Sequence, residues 1–430
     1  MILRYGALLA LAGAVFGYKK FAGHKIQIGR QAPLLALPAH AVPAATVPLP
    51  STLAAASSLE WQAPLRNYPH SDTFSYQGKA MVADYALDSL LNARVNVYLQ
   101  RYRPETGVIL IADLKSGHVL ALGEREDSVL SAKPRMAFGS GYPAASLIKI
   151  LTATTALECN SKYLLDSIPQ LGSYHTLYKR QLLADHAGRL PKITLAEAFA
   201  KSVNPAFALM GLSMGPEALR KEAKLLGFNQ PGLPAGIAES RIEFPDSGFS
   251  LAEAACGFTA KTTISPWHAL EIARAAGDDG KMRNCTFIRS ITDLSSGSQM
   301  PIHEEPGEAF LSAENLPKLQ ALMQATVRVG TARKGFYRTL KAAQMDKIEA
   351  GGKTGSLDGE ETRGRFDWFI GYVKLKDDPS RGLAFAVMLV HREYSSIHAS
   401  QLTALLIKDW LASLEKLERA RKAELSYRAV

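Results

Sequence analysis

Three short motifs standing in one order constrain this chain more than any other feature: Ser146-Leu147-Ile148-Lys149, Ser202-Val203-Asn204 and Lys353-Thr354-Gly355. Together they supply the parts of an active-site serine. A serine hydroxyl is a poor nucleophile at its own pKa, so it needs a nearby base, a route for its proton and a prepared place for the oxyanion that forms. If Ser146 opens a helix, Lys149 lies three residues on and shares its face, within reach of the hydroxyl. Lysine accepts a proton near neutrality only when its pKa is depressed, which burial and a second cation both favour, and Lys353 is the candidate for that cation. A helix N-terminus at Ser146 would also favour developing negative charge there.

The motifs differ in specificity. Ser-x-x-Lys is expected about once or twice by chance in a chain of this length, and a second copy does occur at Ser413-Leu414-Glu415-Lys416. That copy sits among Glu418, Arg419, Arg421 and Lys422 and reads as a solvated helix face. Lys-Thr-Gly is expected by chance in roughly one such chain in ten. Alone, Ser146 would read as a helix N-cap and Lys149 as a surface lysine; the ordered triple displaces that reading.

With those motifs, the chain resembles the penicillin-binding proteins and serine β-lactamases, whose signature is three motifs of this kind. The resemblance runs from about Tyr85 through Gly107 to Leu122 and on to about Trp410, and includes Ala255-Cys256-Gly257-Phe258, Ile264-Ser265-Pro266-Trp267, Val329-Gly330-Thr331-Ala332 and Asp367 to Tyr372. It implies that Ser146 is the nucleophile and Lys149 its general base, that Ser202 relays a proton to the leaving amine, and that Lys353 gives electrostatic support. It implies further that Asn204 hydrogen-bonds the substrate peptide, that Thr354 and Ser356 hold a terminal carboxylate, and that Gly355 allows close approach along the strand. The oxyanion hole would be the N–H groups of Ser146 and Ser356. One departure is visible: Pro143-Ala144-Ala145 stands where many relatives carry Pro-Gly.

The implied activity is that of a peptidoglycan D,D-transpeptidase acting on stem peptides through a serine acyl-enzyme, with β-lactams as inhibitors. A D,D-carboxypeptidase or endopeptidase, in which water replaces the acceptor amine, and a β-lactamase remain open, as does a β-lactam-binding sensor or wall scaffold without turnover. The long intervals between the motifs and the lack of a convincing glutamate motif between Ser202 and Lys353 favour a penicillin-binding protein over a class A β-lactamase. A separate glycosyltransferase is the expected partner, since residues 1–60 read as anchor and linker only.

The chain has 430 residues, 47% hydrophobic and 21% charged, enough for one large core or two modest ones. Its net charge of +10 reads first as an ordinary soluble basic surface and also suits an anionic wall or membrane surface nearby; no nucleic-acid motif accompanies it, so no nucleic-acid partner is expected. Cys159, Cys256 and Cys285 allow at most one disulfide, and neither they nor the histidines form a ligand pattern, so no metal or cofactor is expected.

Residues 1–20 read as an N-terminal membrane anchor or signal segment: an apolar run from Gly6 to Gly17, shorter than the roughly 20 residues a spanning helix prefers, is followed by Lys19-Lys20. Lys19-Lys20 on the exported side opposes the positive-inside tendency. Residues 21–60 read as a Pro/Ala-rich linker, densest from Gln31 to Ser58. The resemblance places the catalytic domain, 61–425, in the periplasm or otherwise outside the cytoplasm, held at the inner membrane, or secreted if the segment is cleaved.

Within that domain the pattern predicts a helix over Tyr85 to Tyr102, a hairpin of Val108 to Asp113 with His118 to Leu122, and helices over Ser146 to Cys159 and Leu195 to Leu226. Strands over Asp367 to Leu375 and Leu383 to Arg392 are followed by a helix from about His398 to Leu417. Strands from both chain ends flank a helical middle, which predicts an α+β fold: an antiparallel β-sheet flanked by helices with a mostly helical subdomain. Trp368 and Phe369 read as sheet packing and Thr331 as structural.

Overall fold

The computed structural model describes residues 71–428 apart from 77, 127–128, 131–135, 165–166, 184–189, 232–235, 301–305, 359–363 and 393–394. The expected anchor, linker and domain start near Trp61 lie outside the described residues. Among the described residues no helix is long and apolar enough to cross a membrane.

The chain enters through strands β1 (Asp72–Tyr76) and β2 (Lys79–Tyr85), then helix α1 (Ser89–Tyr102) and the hairpin β3 (Thr106–Asp113) and β4 (Val119–Glu126), extended by β5 (Val129–Leu130). A helical region follows: α2 (Lys149–Glu158), α3 (Leu195–Ala200), α4 (Asn204–Met214), α5 (Pro216–Leu225), α6 (Gly248–Cys256) and α7 (Pro266–Gly277). Strands β6 (Ile288–Asp293) and β7 (Gln299–Met300) precede α8 (Leu316–Arg328) and α9 (Arg333–Thr339). The chain closes with β8 (Ile348–Asp358), β9 (Arg365–Leu375), β10 (Gly382–His391) and the long helix α10 (Ala399–Arg428).

The main sheet is antiparallel with strand order β8-β9-β10-β3-β4-β5, so both ends of the domain do build it. A smaller sheet of order β1-β2-β6-β7 stands apart. The central strands are apolar on both faces because both faces are covered. Val108, Leu110, Trp368 and Ile370 face a core shared with Leu151, Phe207 and Trp267 of the helical region, while Ile109, Ile111, Phe369 and Phe385 face Leu99, Leu402, Leu406 and Trp410. Each such fully buried side chain contributes about 1.5–3 kcal/mol. Trp368 and Phe369 are thus packing residues on opposite faces, as their pattern predicts.

Three helix expectations need correction. Residues 79–85 are strand, and α1 begins only at Ser89, where Asp88 caps it by accepting from Leu91 N at 2.8 Å. The stretch from Leu195 to Leu226 is three helices, broken at Ser202 (φ 57°) and at Gly215 (φ 81°). Ser146 does not open an α-helix: it sits in a 3₁₀ turn, Ala145–Ile148, that runs into α2. All three cysteines are free thiols, Cys159 exposed and the others buried.

Candidate active site

The 3₁₀ turn explains how Ser146 and Lys149 meet. With three residues per turn, positions i and i+3 eclipse, and Lys149 Nζ lies 2.7 Å from Ser146 Oγ. Ala145 enters the turn at φ 50°, a left-handed conformation that favours glycine, so the departure from Pro-Gly falls next to the serine. Gly257, at the end of α6, lets that turn dock: a Cβ on it would stand 1.9 Å from Ala145 O. Ser146 is half-buried and opens onto a cleft of about 450 Å³, while Lys149 is wholly buried.

Lys149 Nζ donates to Cys256 O at 2.6 Å and to Asn204 Oδ1 at 2.7 Å, and its third neighbour is Ser146 Oγ. It also lies 5.7 Å from the Phe207 ring centre. Burial pushes its pKa down to about 8. A neutral amine has two N–H bonds and one lone pair, so two carbonyl acceptors use the hydrogens and the lone pair is left for the Ser146 hydroxyl. Cys256 enters the site through its backbone carbonyl, a role for which its side chain gives no signal.

Ser202, in its left-handed conformation between α3 and α4, receives a hydrogen bond from Lys353 Nζ at 2.8 Å. Lys353 Nζ also donates to Thr354 O at 2.8 Å and lies 5.7 Å from the Phe199 ring centre. Burial, and then the charge of Lys149, drives Lys353 well below the ordinary lysine range. The influence between the two lysines therefore runs from Lys149 to Lys353 and not, as expected, from Lys353 to Lys149, whose pKa is lowered by burial.

Strand β8 is an edge strand, and its alternation divides the third motif between two faces. Lys353 and Gly355 pair with Ile370 and Trp368 and share their face, toward the helical region; Thr354 and Ser356 pair with Phe369 and Asp367. Thr354 and Ser356 line the cleft. Gly355 does not: a Cβ on it would stand 3.3 Å from both Ala144 O and Leu147 Cγ, so the close approach it permits is that of the serine turn. Asn204 lines the cleft with its amide largely engaged, the oxygen by Lys149 and the nitrogen by His175 O at 3.0 Å. One amide N–H remains for a substrate.

Several cleft residues escaped the sequence reading, Thr331 and His175 among them. Thr331, expected to be structural, is exposed in the cleft with Oγ1 2.6 Å from Thr354 Oγ1. The phrase Val329-Gly330-Thr331-Ala332 was a usable signal for it. His175 also lines the cleft and its backbone carbonyl accepts from Asn204 Nδ2; burial and then the Lys149 charge lower its pKa. Nothing in its sequence neighbourhood marks it, since it reaches the site across 29 residues of intervening chain. Also in the cleft lining, His398 Nδ1 meets Asp367 Oδ2 at 3.0 Å, and that hydrogen bond raises the His398 pKa.

Comparison with known proteins gives one consistent picture. The family described as "Penicillin binding protein transpeptidase domain" matches residues 107–407, well over half of the chain. The chain is 31% identical over 239 residues to the peptidoglycan D,D-transpeptidase PbpA of Mycobacterium tuberculosis, covering 52% of this chain and 47% of that protein. It is 25% identical over 261 residues to the PbpA of Mycolicibacterium smegmatis, covering 56% and 49%. The chain therefore spans about half the length of these relatives. Among solved structures, the fold is similar to penicillin-binding protein A from M. tuberculosis in its imipenem acyl-enzyme complex (TM-score 0.60, 21% identity, 76% of this chain and 79% of that one).

Proposed function

The chain belongs to the penicillin-binding protein transpeptidase-domain family, and from that premise we propose that it is a peptidoglycan D,D-transpeptidase working through an acyl-enzyme on Ser146. The observation that carries this reading is the buried Lys149 Nζ, held by two carbonyl oxygens and 2.7 Å from the Ser146 hydroxyl.

In this mechanism Ser146 Oγ attacks the carbonyl carbon between two D-alanines and its proton passes to Lys149 Nζ. The oxyanion is held by the N–H groups of Ser146 and Ser356, and losing one such donor typically costs ~10²- to 10³-fold in rate. Ser202, hydrogen-bonded by Lys353, returns a proton to the departing amine. Thr354 and Ser356 hold the terminal carboxylate, joined by Thr331. The amine of a neighbouring stem peptide then takes the acyl group, and β-lactams arrest the cycle at the acyl-enzyme.

The reading extends to setting. The apolar segment at 1–20 anchors the catalytic domain at the inner membrane, the domain works outside the cytoplasm, and a separate glycosyltransferase supplies glycan strands. Fractionation of the full chain tests the location: a cytoplasmic, membrane-free pool would refute it. The activity itself is tested with a stem pentapeptide and an amine acceptor. Cross-linked product supports transpeptidation, hydrolysed tetrapeptide alone assigns a D,D-carboxypeptidase, and retained penicillin label with no peptide product assigns a non-catalytic binder.

A further inference from the structure

Lys149 is held at one remove by a loop that shares no motif with it. The Asn204 amide oxygen is one of the two carbonyl acceptors of Lys149 Nζ, and Asn204 is itself held by residues 170–178, upstream of α3. Tyr174 O accepts from Asn204 N at 2.7 Å, and His175 O accepts from Asn204 Nδ2 at 3.0 Å. The second bond decides which way the amide points. A backbone carbonyl only accepts, so it keeps the nitrogen on its side and turns Oδ1 to Lys149, 2.7 Å away. With the amide reversed, two oxygens would face each other at His175, and Nδ2 would donate to the Lys149 lone pair that the Ser146 hydroxyl needs.

The loop in turn is organised around one side chain. Gln181, buried just beyond it, donates from Nε2 to Leu171 O at 2.7 Å and lies 3.3 Å from Ser173 O and 3.4 Å from Thr176 Oγ1. Its Oε1 accepts from Tyr178 N at 2.7 Å. These contacts span both arms of the loop, on either side of Tyr174 and His175. Gly172 makes room for them: it stands at φ 75°, and a Cβ on it would lie 3.1 Å from Gln181 Nε2. Gln170 closes the base of the loop, its Nε2 donating to Gly172 O at 3.1 Å and its backbone N to Pro191 O at 2.8 Å. Loss of the Gln181 amide would leave Leu171 O and Tyr178 N without these partners, and the loop would relax to recover them.

We propose that Gln181, through the loop 170–178, sets the orientation of the Asn204 amide and thereby directs Lys149 at Ser146. The inference rests on the reading of Lys149 as the base for Ser146. Gln181 touches no reacting atom and is a positioning residue. In the step it serves, Ser146 Oγ bonds to the acyl carbon and its proton moves to the Lys149 lone pair. Both N–H bonds of the neutral amine stay on Asn204 Oδ1 and Cys256 O throughout. Releasing the amide has two consequences. The lone pair is no longer reserved for the serine, so acylation slows; and Lys149 loses an acceptor that favours its charged form, so its pKa falls further. The rate–pH curve then flattens at a lower pH and a lower plateau. A protein that is merely less stable loses active molecules and keeps its bend in place. The titratable neighbours of Lys149 include the Cys256 thiol on α6, Lys353 on β8 and His175 in the loop. Replacing neutral Gln181 alters the charge of none of them.

The test is the second-order acylation rate of the full chain by a fluorescent penicillin, measured against pH. The parent is compared with Gln181→Met, with Gly172→Ala and with Ile291→Ala, a core truncation in the smaller sheet, away from the loop. Gln181→Met keeps the side-chain length without the hydrogen bonds; Gly172→Ala keeps Gln181 and displaces its amide. Each should lower the plateau by about tenfold and move the bend down by roughly one pH unit, the size of one charge-assisted hydrogen bond. Ile291→Ala should lower the urea midpoint and leave the bend where the parent has it. Gly172→Ala is read where Gln181→Met does not fold. A folded Gln181→Met or Gly172→Ala protein whose bend coincides with the parent's would overturn the role of the loop, whatever its plateau, and so would an equal shift in Ile291→Ala. A parent with no bend between about pH 6 and pH 10 would overturn it together with the reading of Lys149 as the base.

Discussion

The same five-residue pattern occurs twice in this molecule with opposite fates: Ala145-Ser146-Leu147-Ile148-Lys149 and Ala412-Ser413-Leu414-Glu415-Lys416. At the first, a left-handed alanine leads into a 3₁₀ turn, the lysine is fully buried, and its Nζ reaches the serine at 2.7 Å. At the second, the residues lie inside α10, where Ser413 Oγ donates back to Trp410 O at 2.7 Å and Lys416 is exposed. One helical hydroxyl is spent on its own backbone; the other is directed to a base. The difference teaches that the motif supplies only the side chains. The turn geometry and the desolvation come from what packs around them: Gly257 against Ala145 O, and the carbonyl of Cys256 on Lys149.

The largest expected effect breaks the comparison outright. Ser146→Ala should abolish covalent labelling by a fluorescent penicillin, whereas Ser413→Ala should label like the parent. Label that persists on the Ser146→Ala protein would mean the nucleophile lies elsewhere. Next in size, Lys149→Ala should slow acylation by about 10²- to 10⁴-fold, the usual range for a positioned general base. Lys149→Arg should do no better, because a guanidinium keeps its proton. Lys416→Ala should leave the rate unchanged, and a comparable loss there would undo the assignment.

A pH profile sharpens the contrast further. Protonated Lys149 has no lone pair, so acylation should rise with pH and flatten once the amine is neutral. Burial lowers its pKa from 10.5 to about 8, which sets the bend near pH 8, with a roughly tenfold gain per unit below it. Second-order acylation rates measured across that range give the answer. A bend near the ordinary lysine value would mean that the buried environment leaves Lys149 as basic as an exposed lysine.

The comparison also marks where sequence reasoning succeeds. The β3–β4 hairpin, β9, β10 and α10 were legible because alternation and helical periodicity are local properties. Ser146, Lys149, Ser202, Asn204 and Lys353 were legible as motifs, and the structure brings all five together. The 3₁₀ turn was not, because Ser-Leu-Ile-Lys is as good a helix as a turn until Ala145 and Gly257 meet. The break at Ser202 was hidden for the same reason: serine has no visible preference for φ 57°, which Lys353 and the α3–α4 packing impose. Gly355 was misplaced because its face depends on strand register. Thr331, His175, Asp367 and His398 come from separate stretches of the chain, and only tertiary packing gathers them.

The smallest effect is also the most direct test of why the two copies differ. An L-residue in the left-handed region costs roughly 1–2 kcal/mol that glycine does not pay. Against this, glycine adds about 0.4–1 kcal/mol of unfolded-state entropy. Ala145→Gly should therefore be close to neutral in stability, the lost methyl packing offsetting what relief remains. Ala412→Gly, in the interior of α10, gains nothing from φ and should lose about 1 kcal/mol, the helix-propensity difference. Urea melts of the two variants decide it by their midpoints at unchanged slope. If Ala145→Gly costs as much as Ala412→Gly, then the left-handed entry to the serine turn is unstrained, and the turn is held by the sequence around Ser146 rather than by the docking of Gly257 against it.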